Sequence, residues 1–407
     1  MMFRKAVLVG SLILLAAYSA RSADQWISNA QLIDGLPTSK VRAVNLRIAD
    51  GRIAEITAAA DRQDAIDLGG AYLLPGFIDA HSHIEDPASA KRALLSGVTT
   101  ARVLGDAYLK GMATRDLVRT GYVQGPEMLV SGGHVRPRLG EAFILSFPQF
   151  GQYLEAPLQG PENVAAVVRA VVARGADVIK VGASERAGLA YTDPRRQELS
   201  FEELRAAVQE AGKTGLFVAA HAHDRHGANA AVRAGVRSIE HGTYLDDETL
   251  ALMRKQGTFF VPTLAIMSPM GDPRGDSADD IGLQLRTQQM MRPLREAVRK
   301  ARTLGITVAV GTDGSYGDGD DSARVRPGYE IAELVACGYT PLEAIAAGTH
   351  NSARVLGIEG RTGSIAVGFE ADLLVVDRDP RVDVTTLLEP MLVLSNGKVV
   401  LNRLAQR

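Results

Sequence analysis

The chain has 407 residues, of which 46% are hydrophobic and 23% charged, and its formal net charge is −2. This length exceeds one minimal domain and fits a barrel of about 250 residues with a smaller companion domain. A near-neutral charge without a basic block argues against a nucleic-acid partner, and a single cysteine, Cys337, excludes an internal disulfide and a thiolate-rich metal site.

The first residues have the pattern of an export signal. Arg4 and Lys5 precede an apolar run at residues 6–17, and Ala20-Arg21-Ser22 offers small residues for cleavage. The apolar run is shorter than the roughly 20 residues of a spanning helix. We therefore expect residues 1–22 to be a signal peptide and the mature protein to be periplasmic or secreted, with a retained N-terminal anchor as the alternative.

Short strand-like segments follow the signal and recur at the other end of the chain. Asp50-Gly51 and Asn396-Gly397 separate such segments as the turns of β-hairpins do. We predict one small β-sandwich domain formed by both ends, residues 24–70 plus 365–407. The strand-like segments are residues 26–33, 44–48, 53–56, 371–376 and 391–394.

Between these ends, candidate strands alternate with helical patterns, which predicts a parallel sheet. Ser200 followed by Glu203 forms a capping box at one helix start. Eight strand–helix units favour a closed (β/α)₈ TIM barrel over residues 71–364. The candidate strands are residues 72–80, 99–104, 127–131, 177–181, 216–220, 238–240, 258–263 and 307–311, and the clearest helices are 164–174, 201–214 and 228–234.

Histidine, lysine and aspartate residues, whose side chains can bind metal ions, stand at or just after the ends of these predicted strands. Residues two apart on an extended backbone point to the same side, so the pair in His-Ser-His can reach one ion. Each residue alone could be a core histidine, an ion-paired lysine or a turn aspartate, but barrel enzymes place their sites at this face. The combination predicts a metal site formed by His81, His83, Lys180, His221, His241 and Asp313.

The motifs around these residues resemble those of the amidohydrolase superfamily over nearly the whole chain after the signal. The matching segments are residues 75–83, 239–242, 311–313 and 363–373. The resemblance implies a binuclear site, with zinc the expected metal. It would place His81, His83 and Asp313 on the more buried ion and His221 and His241 on the second, with N6-carboxylated Lys180 bridging the two.

The resemblance also implies a mechanism in which a metal-bridging hydroxide attacks the scissile carbonyl and Asp313 carries its proton to the leaving amine. His134, after the third strand, resembles a histidine that contacts the substrate carbonyl, with an ordinary loop histidine as the alternative. His223 competes with His221 for the ligand role. We prefer His221 as the ligand because it is nearer the predicted strand end, and we expect His223 to face the substrate.

Residues 176–181 and 218–223 resemble the subgroup of Xaa-Pro dipeptidases, metal carboxypeptidases and ochratoxin-type amidases. That subgroup implies an enzyme cleaving the amide bond of N-acyl amino acids or dipeptides. The relatives often carry Gly-Gly where this chain has Ser184-Glu185-Arg186-Ala187, which puts the specificity in question. Candidate partners for a substrate carboxylate are Arg186, Tyr191, His223 and Arg225.

Two other functions remain open from the sequence. One is an imidazolonepropionase-like hydrolase of a cyclic amide, although that group typically uses one metal without a strand-four lysine. The other is a secreted barrel that binds a ligand without chemistry, although no predicted metal ligand is missing. The expected partners are a small amide or peptide, no nucleic acid and no membrane after signal removal, with a homo-oligomer left open.

Overall fold

The structure is a computed structural model that describes residues 24–189, 191–270, 280–319 and 324–406. The predicted export segment, residues 1–22, lies outside the described residues. In the described ranges, no helix combines the length and the apolar character that crossing a membrane requires.

One eight-stranded sheet combines the two ends of the chain. Its strands are β1 (Gln25–Leu32), β2 (Arg42–Ala49), β3 (Arg52–Ala58), β4 (Ala65–Asp67), β5 (Tyr72–Pro75), β14 (Leu373–Val376), β15 (Leu392–Ser395) and β16 (Lys398–Asn402). Their order is β16-β15-β14-β5-β1-β2-β3, with β4 beside β1. The antiparallel pairing of β5 with β14 joins the two ends of the chain.

The sheet has its own apolar core, which includes Ile27, Leu46, Leu73, Val375 and Leu394. All five side chains are at most 1% exposed. They come from strands of both chain ends, so neither end could bury its apolar face without the other.

Both predicted hairpin turns are confirmed. Asp50-Gly51 connects β2 to β3, and Asn396-Gly397 connects β15 to β16. The φ angles of these four residues lie between 49° and 76°. Positive φ at both central residues gives the tight turn whose twist matches that of the flanking strands.

The middle of the chain alternates parallel strands with helices. One sheet contains β6 (Phe77–Ser82), β7 (Val98–Val103) and β8 (Glu127–Val130), and another contains β9 (His134–Val135), β10 (Ile179–Gly182), β11 (Val218–Ala222), β12 (Ser238–His241) and β13 (Phe259–Val261). The helices are α1 (Pro87–Leu95), α2 (Lys110–Arg119), α3 (Glu141–Ser146), α4 (Pro161–Ala173), α5 (Phe201–Gly212), α6 (Arg225–Ala234), α7 (Asp247–Gln256), α8 (Leu264–Met270), α9 (Ile281–Leu304), α10 (Pro327–Ala336), α11 (Pro341–Ala347) and α12 (His350–Leu356). The fold is therefore mixed α/β, and the predicted capping box at Ser200 is present at the start of α5.

Backbone hydrogen bonds connect the two parallel sheets at both of their edges. On one side, the Asp177 N–H donates to the Val130 carbonyl oxygen at 2.8 Å, which joins the start of β10 to the end of β8. On the other side, residues 307–311 lie between β6 and β13, and the Ala80 N–H donates to the Val310 carbonyl oxygen at 2.9 Å. The two parallel sheets are therefore joined side by side, and the carboxyl ends of their strands point toward the same region.

The predicted eighth strand, residues 307–311, is only partly regular. It forms a single parallel bridge, between Phe260 and Val308, while the Ala309 N–H also donates to the Phe260 carbonyl oxygen. β13 ends just before Pro262, which has no N–H to extend the ladder. The pairing on this side is therefore short.

The prediction of one continuous strand over residues 72–80 was wrong. β5 ends at Pro75 in the sheet of the chain ends, and β6 begins at Phe77 in a parallel sheet. Gly76 lies against the neighbouring strand, where a Cβ would stand 2.4 Å from Cγ2 and Oγ1 of Thr99. Only a residue without a side chain allows the chain to change sheets at this point.

We expect Gly76→Ala to lower the free energy of unfolding by about 1–3 kcal/mol, the range for overpacking a filled site. Thr99→Ala in the same chain should recover part of the loss, because it removes the two nearest atoms. Thermal and urea unfolding would measure both variants. Gly151→Ala is the control, since a Cβ there meets nothing within 4 Å. A Gly76→Ala protein as stable as the control would contradict the close approach.

Candidate metal centre

The six predicted metal ligands line one cavity of about 220 Å³ at the carboxyl ends of the parallel strands. They come from β6, β10, β11, β12 and the turn after residues 307–311. The shared orientation of parallel strands brings together side chains far apart in sequence. Ligand and substrate candidates that line the cavity are His81, His83, His134, Lys180, Arg186, His221, His223, His241 and Asp313.

Two substrate-binding candidates lie elsewhere. Tyr191 is 80% exposed and lines an adjoining cleft. Arg225 lines neither cavity, and its Nε donates to His226 Nε2 at 3.2 Å. The structure therefore does not bring Arg225 to the site.

The imidazole rings form one connected cluster. Ring centroids lie 5.7 Å apart for His81 and His83, 5.1 Å for His81 and His241, and 4.5 Å for His221 and His241. Potential ligand atoms lie within 4.8 Å of one another in two groups, one of His81, His241 and Asp313, the other of His221, His223 and His241. Both His221 and His223 belong to the second group, so these distances do not show which of the two is the metal ligand.

Three residues around the cavity have positive φ angles, which side chains rarely adopt. The angle is 70° at His241, 58° at Asp313 and 53° at Thr263. Such conformations cost on the order of 1–3 kcal/mol each and persist only where the surroundings impose them. Here His241 Nδ1 lies 2.8 Å from Thr263 Oγ1, and the Asp313 N–H donates to the His81 carbonyl oxygen at 2.7 Å. The strained backbone directs His241 and Asp313 into the cavity.

Acceptors in the protein fix the ring orientation of several histidines. His81 Nδ1 donates to Glu240 Oε2 at 2.9 Å, which leaves the Nε2 lone pair directed at Lys180 Nζ, 3.2 Å away. His223 Nδ1 lies 2.9 Å from Thr243 Oγ1 in a similar arrangement. A partner on one ring nitrogen leaves the other available as a ligand atom.

Sequence reasoning missed the buried ion pair that supports His81. Arg102 Nη2 donates to Glu240 Oε1 at 2.8 Å, and its Nε donates to the Ala80 carbonyl oxygen at 2.5 Å. Arg102 is 2% exposed and Glu240 is fully buried. Burial raises the pKa of Glu240, but the Arg102 charge and the hydrogen bond from His81 together outweigh it, and the pKa falls to about 2. The one sequence signal was the position of Glu240, immediately before His241.

Asp79 is a second supporting residue that the sequence did not single out. It accepts hydrogen bonds from Thr312 Oγ1 at 2.6 Å, from the Tyr316 hydroxyl at 2.6 Å and from the His81 N–H at 3.1 Å. These bonds tie β6 to the turn that carries Asp313. Asp79 therefore sets the spacing between the two ends of the ligand set.

Burial keeps five of the cavity's histidines uncharged. Desolvation lowers the pKa of His81 to about 4 and that of His223 to about 3, and it holds the pKa values of His134, His221 and His241 well below their usual range. Desolvation also lowers the pKa of Lys180 to about 8, although the Glu240 and Asp313 carboxylates oppose it. Burial raises the pKa of Asp313, but the neighbouring His81 and His83 outweigh it and the carboxyl stays ionised.

These donors fit divalent metal ions. Neutral imidazoles and an ionised carboxylate are the ligands that zinc accepts in proteins, and they meet here within coordination reach of one another. Lys180 is the one group that does not fit as it stands, because an ammonium would repel a cation. Its lowered pKa makes the neutral amine accessible.

A larger cleft of about 1160 Å³ adjoins the metal-binding cavity. His134 and Arg186 line both, so the two spaces are continuous. α3 and a following 3-10 helix, Pro148–Tyr153, occupy the segment between β9 and α4, and the sequence predicted neither of them. Phe143 of α3 contributes to the cleft wall.

Comparisons with known proteins agree with this geometry. The sequence model of the amidohydrolase family matches residues 72–400. The ochratoxinase of Aspergillus niger is 30% identical over 362 residues, covering 79% of this chain and 73% of the relative. The structure of a Xaa-Pro dipeptidase with methionine bound in its active site superposes with a TM-score of 0.82 at 27% identity, covering 93% of this chain and 99% of that one. An imidazolonepropionase of Chromobacterium violaceum is 28% identical over 384 residues, covering 84% and 87% of the two chains.

We expect Glu240→Gln to weaken divalent-cation binding by about 10- to 100-fold, because the amide has one acceptor oxygen where the carboxylate has two, and His81 and Arg102 would compete for it. It should also cost about 3–5 kcal/mol of stability, because Arg102 is left buried without a counter-ion. Competition titration with a zinc chelator and thermal unfolding would measure the two effects.

The matched control is Glu370→Gln, which breaks the 2.7 Å ion pair between Glu370 and Arg361 away from the cavity. It should leave metal affinity unchanged. Equal metal affinities for Glu240→Gln and the wild type would show that Glu240 does not orient His81.

Proposed function

The chain belongs to the amidohydrolase family and is a hydrolase of amide bonds, and from this premise we propose that it uses two divalent cations, with zinc the expected metal. The proposed substrates are N-acyl amino acids or dipeptides. The observation that carries the proposal is the convergence of all six predicted ligands on one cavity, with Lys180 Nζ 3.2 Å from His81 Nε2.

The proposed architecture is a closed (β/α)₈ barrel, residues 71–364, with a β-sandwich domain from residues 24–70 and 365–407. The backbone bonds from Asp177 to Val130 and from Ala80 to Val310 support closure, because they join the two parallel sheets at both edges. We also propose that residues 1–22 direct export to the periplasm or outside the cell. The pattern of basic, apolar and small residues supports that proposal.

The proposed bridge between the cations is Lys180 carboxylated on Nζ. A buried lysine with a lowered pKa is a nucleophilic amine at moderate pH, and reaction with CO₂ turns it into an anionic oxygen ligand. When bound, two divalent cations lower the pKa of water and polarise a scissile carbonyl.

Three side chains of this protein would then act on the substrate. Asp313, ionised and 2.8 Å from His83 Nε2, would accept the proton of the attacking water and deliver it to the leaving nitrogen. His134 Nε2 has no hydrogen-bond partner among the described residues and is placed to donate to the substrate carbonyl oxygen. His223, held by Thr243, would serve as a ligand or face the substrate.

The second candidate is hydrolysis of a cyclic amide, favoured by the similarity to imidazolonepropionase over 84% of this chain. Lys180 in the cavity favours the binuclear amidase instead, because a mononuclear site has no use for a bridging lysine. Parallel assays of N-acyl amino acids, dipeptides and imidazolone propionate would separate the two, since cleavage of the cyclic amide alone would reverse the preference.

Wild-type protein loaded with zinc and bicarbonate should contain close to two metal ions per chain by elemental analysis. Lys180→Ala should lose at least one ion and most amidase activity, and added acetate should restore part of the activity by replacing the carbamate. Lys213→Ala, an exposed lysine paired with Glu210, is the control. Full metal content and full rate in Lys180→Ala would rule out the bridging role.

Asp313→Asn should reduce kcat by about 10²- to 10⁴-fold, the usual contribution of a positioned acid–base group. Both kcat and kcat/KM should fall together, because the proton transfer belongs to the transition state. Steady-state kinetics on an N-acyl amino acid would measure the change, with metal content determined on the same sample. A change confined to KM would assign Asp313 to substrate binding.

A further inference from the structure

The cleft beside the proposed metal centre contains a buried ion pair that the proposed chemistry does not use. Arg136 Nη2 donates to Glu198 Oε1 at 2.5 Å. The side chains of Arg136 and Glu198 are 10% and 8% exposed. Arg136 follows β9, two residues after His134, and both line the cleft.

This pair is only half satisfied. Arg136 Nε and Glu198 Oε2 are buried and have no hydrogen-bond partner among the residues that the structure describes. A buried donor of a charged group without an acceptor costs free energy, so its presence in a cavity wall points to a ligand that supplies one. His134 Nε2, two residues away, is in the same condition.

The three residues that carry these atoms lie beside Gly182 at the end of β10. A Cβ on Gly182 would stand 2.6 Å from Glu198 Oε2, 3.1 Å from Arg136 Cβ and 3.3 Å from His134 Nε2. The ion pair thus lies directly beside the histidine that is placed to contact the substrate carbonyl. A substrate held at His134 would have Arg136 next to it on the side of the larger cleft.

Uncompensated arginines in the cleft wall offer positive charge to an anion. Glu198 Oε2 and Asp106 Oδ1 are buried without a hydrogen-bond partner among the described residues, but Glu185 pairs with Arg196, and Glu203 accepts from the Gly160 N–H at 2.7 Å. By contrast, two arginines of the cleft wall lie within 4.0 Å of no carboxylate in the described part of the chain. These are Arg138 and Arg186.

We infer that Arg136 is the residue that binds the substrate's carboxylate, with Arg186 adding positive charge at the junction of the two cavities. Glu198 positions Arg136 by holding Nη2, which leaves Nε without an acceptor among the described residues. Tyr191, at 80% exposure, is too solvated for its hydroxyl to determine specificity. The apolar side chains of Leu139, Phe143 and Leu158 line the same cleft and suit an apolar amino acid.

This inference rests on the proposed amidase function and names the part of the substrate that the enzyme recognises. The probes are N-acetyl-L-phenylalanine and its C-terminal carboxamide, with release of acetate measured for both. We expect the wild type to prefer the free acid. Arg136→Gln should lower kcat/KM for the acid by roughly 10- to 100-fold, mainly through KM, because a charge-assisted hydrogen bond is lost. It should leave the amide nearly unchanged.

Two further variants test whether the change in kcat/KM comes from a lost contact with the substrate or from a disturbed structure. Arg136→Gln combined with Glu198→Gln removes both charges, so that no carboxylate is left buried alone, and it should show the same loss of acid preference. Glu198→Gln alone keeps an amide oxygen that can accept from Arg136 Nη2 but removes the competing negative charge, so it should lower KM for the acid. Arg169→Gln, which breaks a similar arginine–glutamate pair outside both cavities, should behave as the wild type.

Direct binding separates this inference from the proposed function. Calorimetric titration of L-phenylalanine and L-phenylalaninamide into the metal-loaded protein should show tighter binding of the free acid, lost in Arg136→Gln. If no N-acyl substrate is cleaved but this pattern holds, the proposed function fails and the inference stands. If substrates are cleaved and every variant keeps the wild-type ratio of acid to amide, the carboxylate-binding role of Arg136 is overturned.

Discussion

The hydrogen bond between His81 and Glu240 determines how the rest of the site is arranged. It joins the first parallel strand, β6, to β12, and it turns one imidazole so that its free nitrogen faces Lys180. The bond is possible only because Arg102 compensates the buried carboxylate. Without that ion pair, His81 would lose the buried carboxylate that orients its ring.

Burial has two opposite consequences around this ion pair. It lowers the pKa values of His81 and of Lys180, which favours the neutral imidazole as a ligand and makes the neutral amine easier to reach. It also raises the cost of any polar atom left unpaired. Most such atoms are satisfied by neighbours like Thr243 and Thr263. The exceptions that line the cleft are at Asp106, His134, Arg136 and Glu198, and His134 also lines the metal-binding cavity.

The molecule thus separates chemistry from recognition. Side chains at strand ends supply the metal-binding cavity, and their positions depend on the regular spacing of parallel strands. The cleft is built largely by two connections, one between β9 and α4 and the other between β10 and α5. Relatives with the same strand ends can therefore differ in substrate when these connections differ.

The sequence by itself determined the features that depend on local chemistry. The hairpins at Asp50-Gly51 and Asn396-Gly397 follow from residues that tolerate positive φ, and the capping box at Ser200 follows from a three-residue spacing. The convergence of the six ligand candidates was predictable as well, because side chains that follow parallel strands meet at one face.

Only the tertiary structure decided which distant residues meet. Arg102 and Glu240 are 138 positions apart, and Arg136 and Glu198 are 62 apart. No local pattern marks such pairs, because their contact depends on how strands pack side by side. The same holds at Gly76, where the neighbouring strand's Thr99 leaves no room for a side chain and the chain changes sheets. The sequence encodes these contacts, but they can be identified only once the packing of neighbouring strands is known.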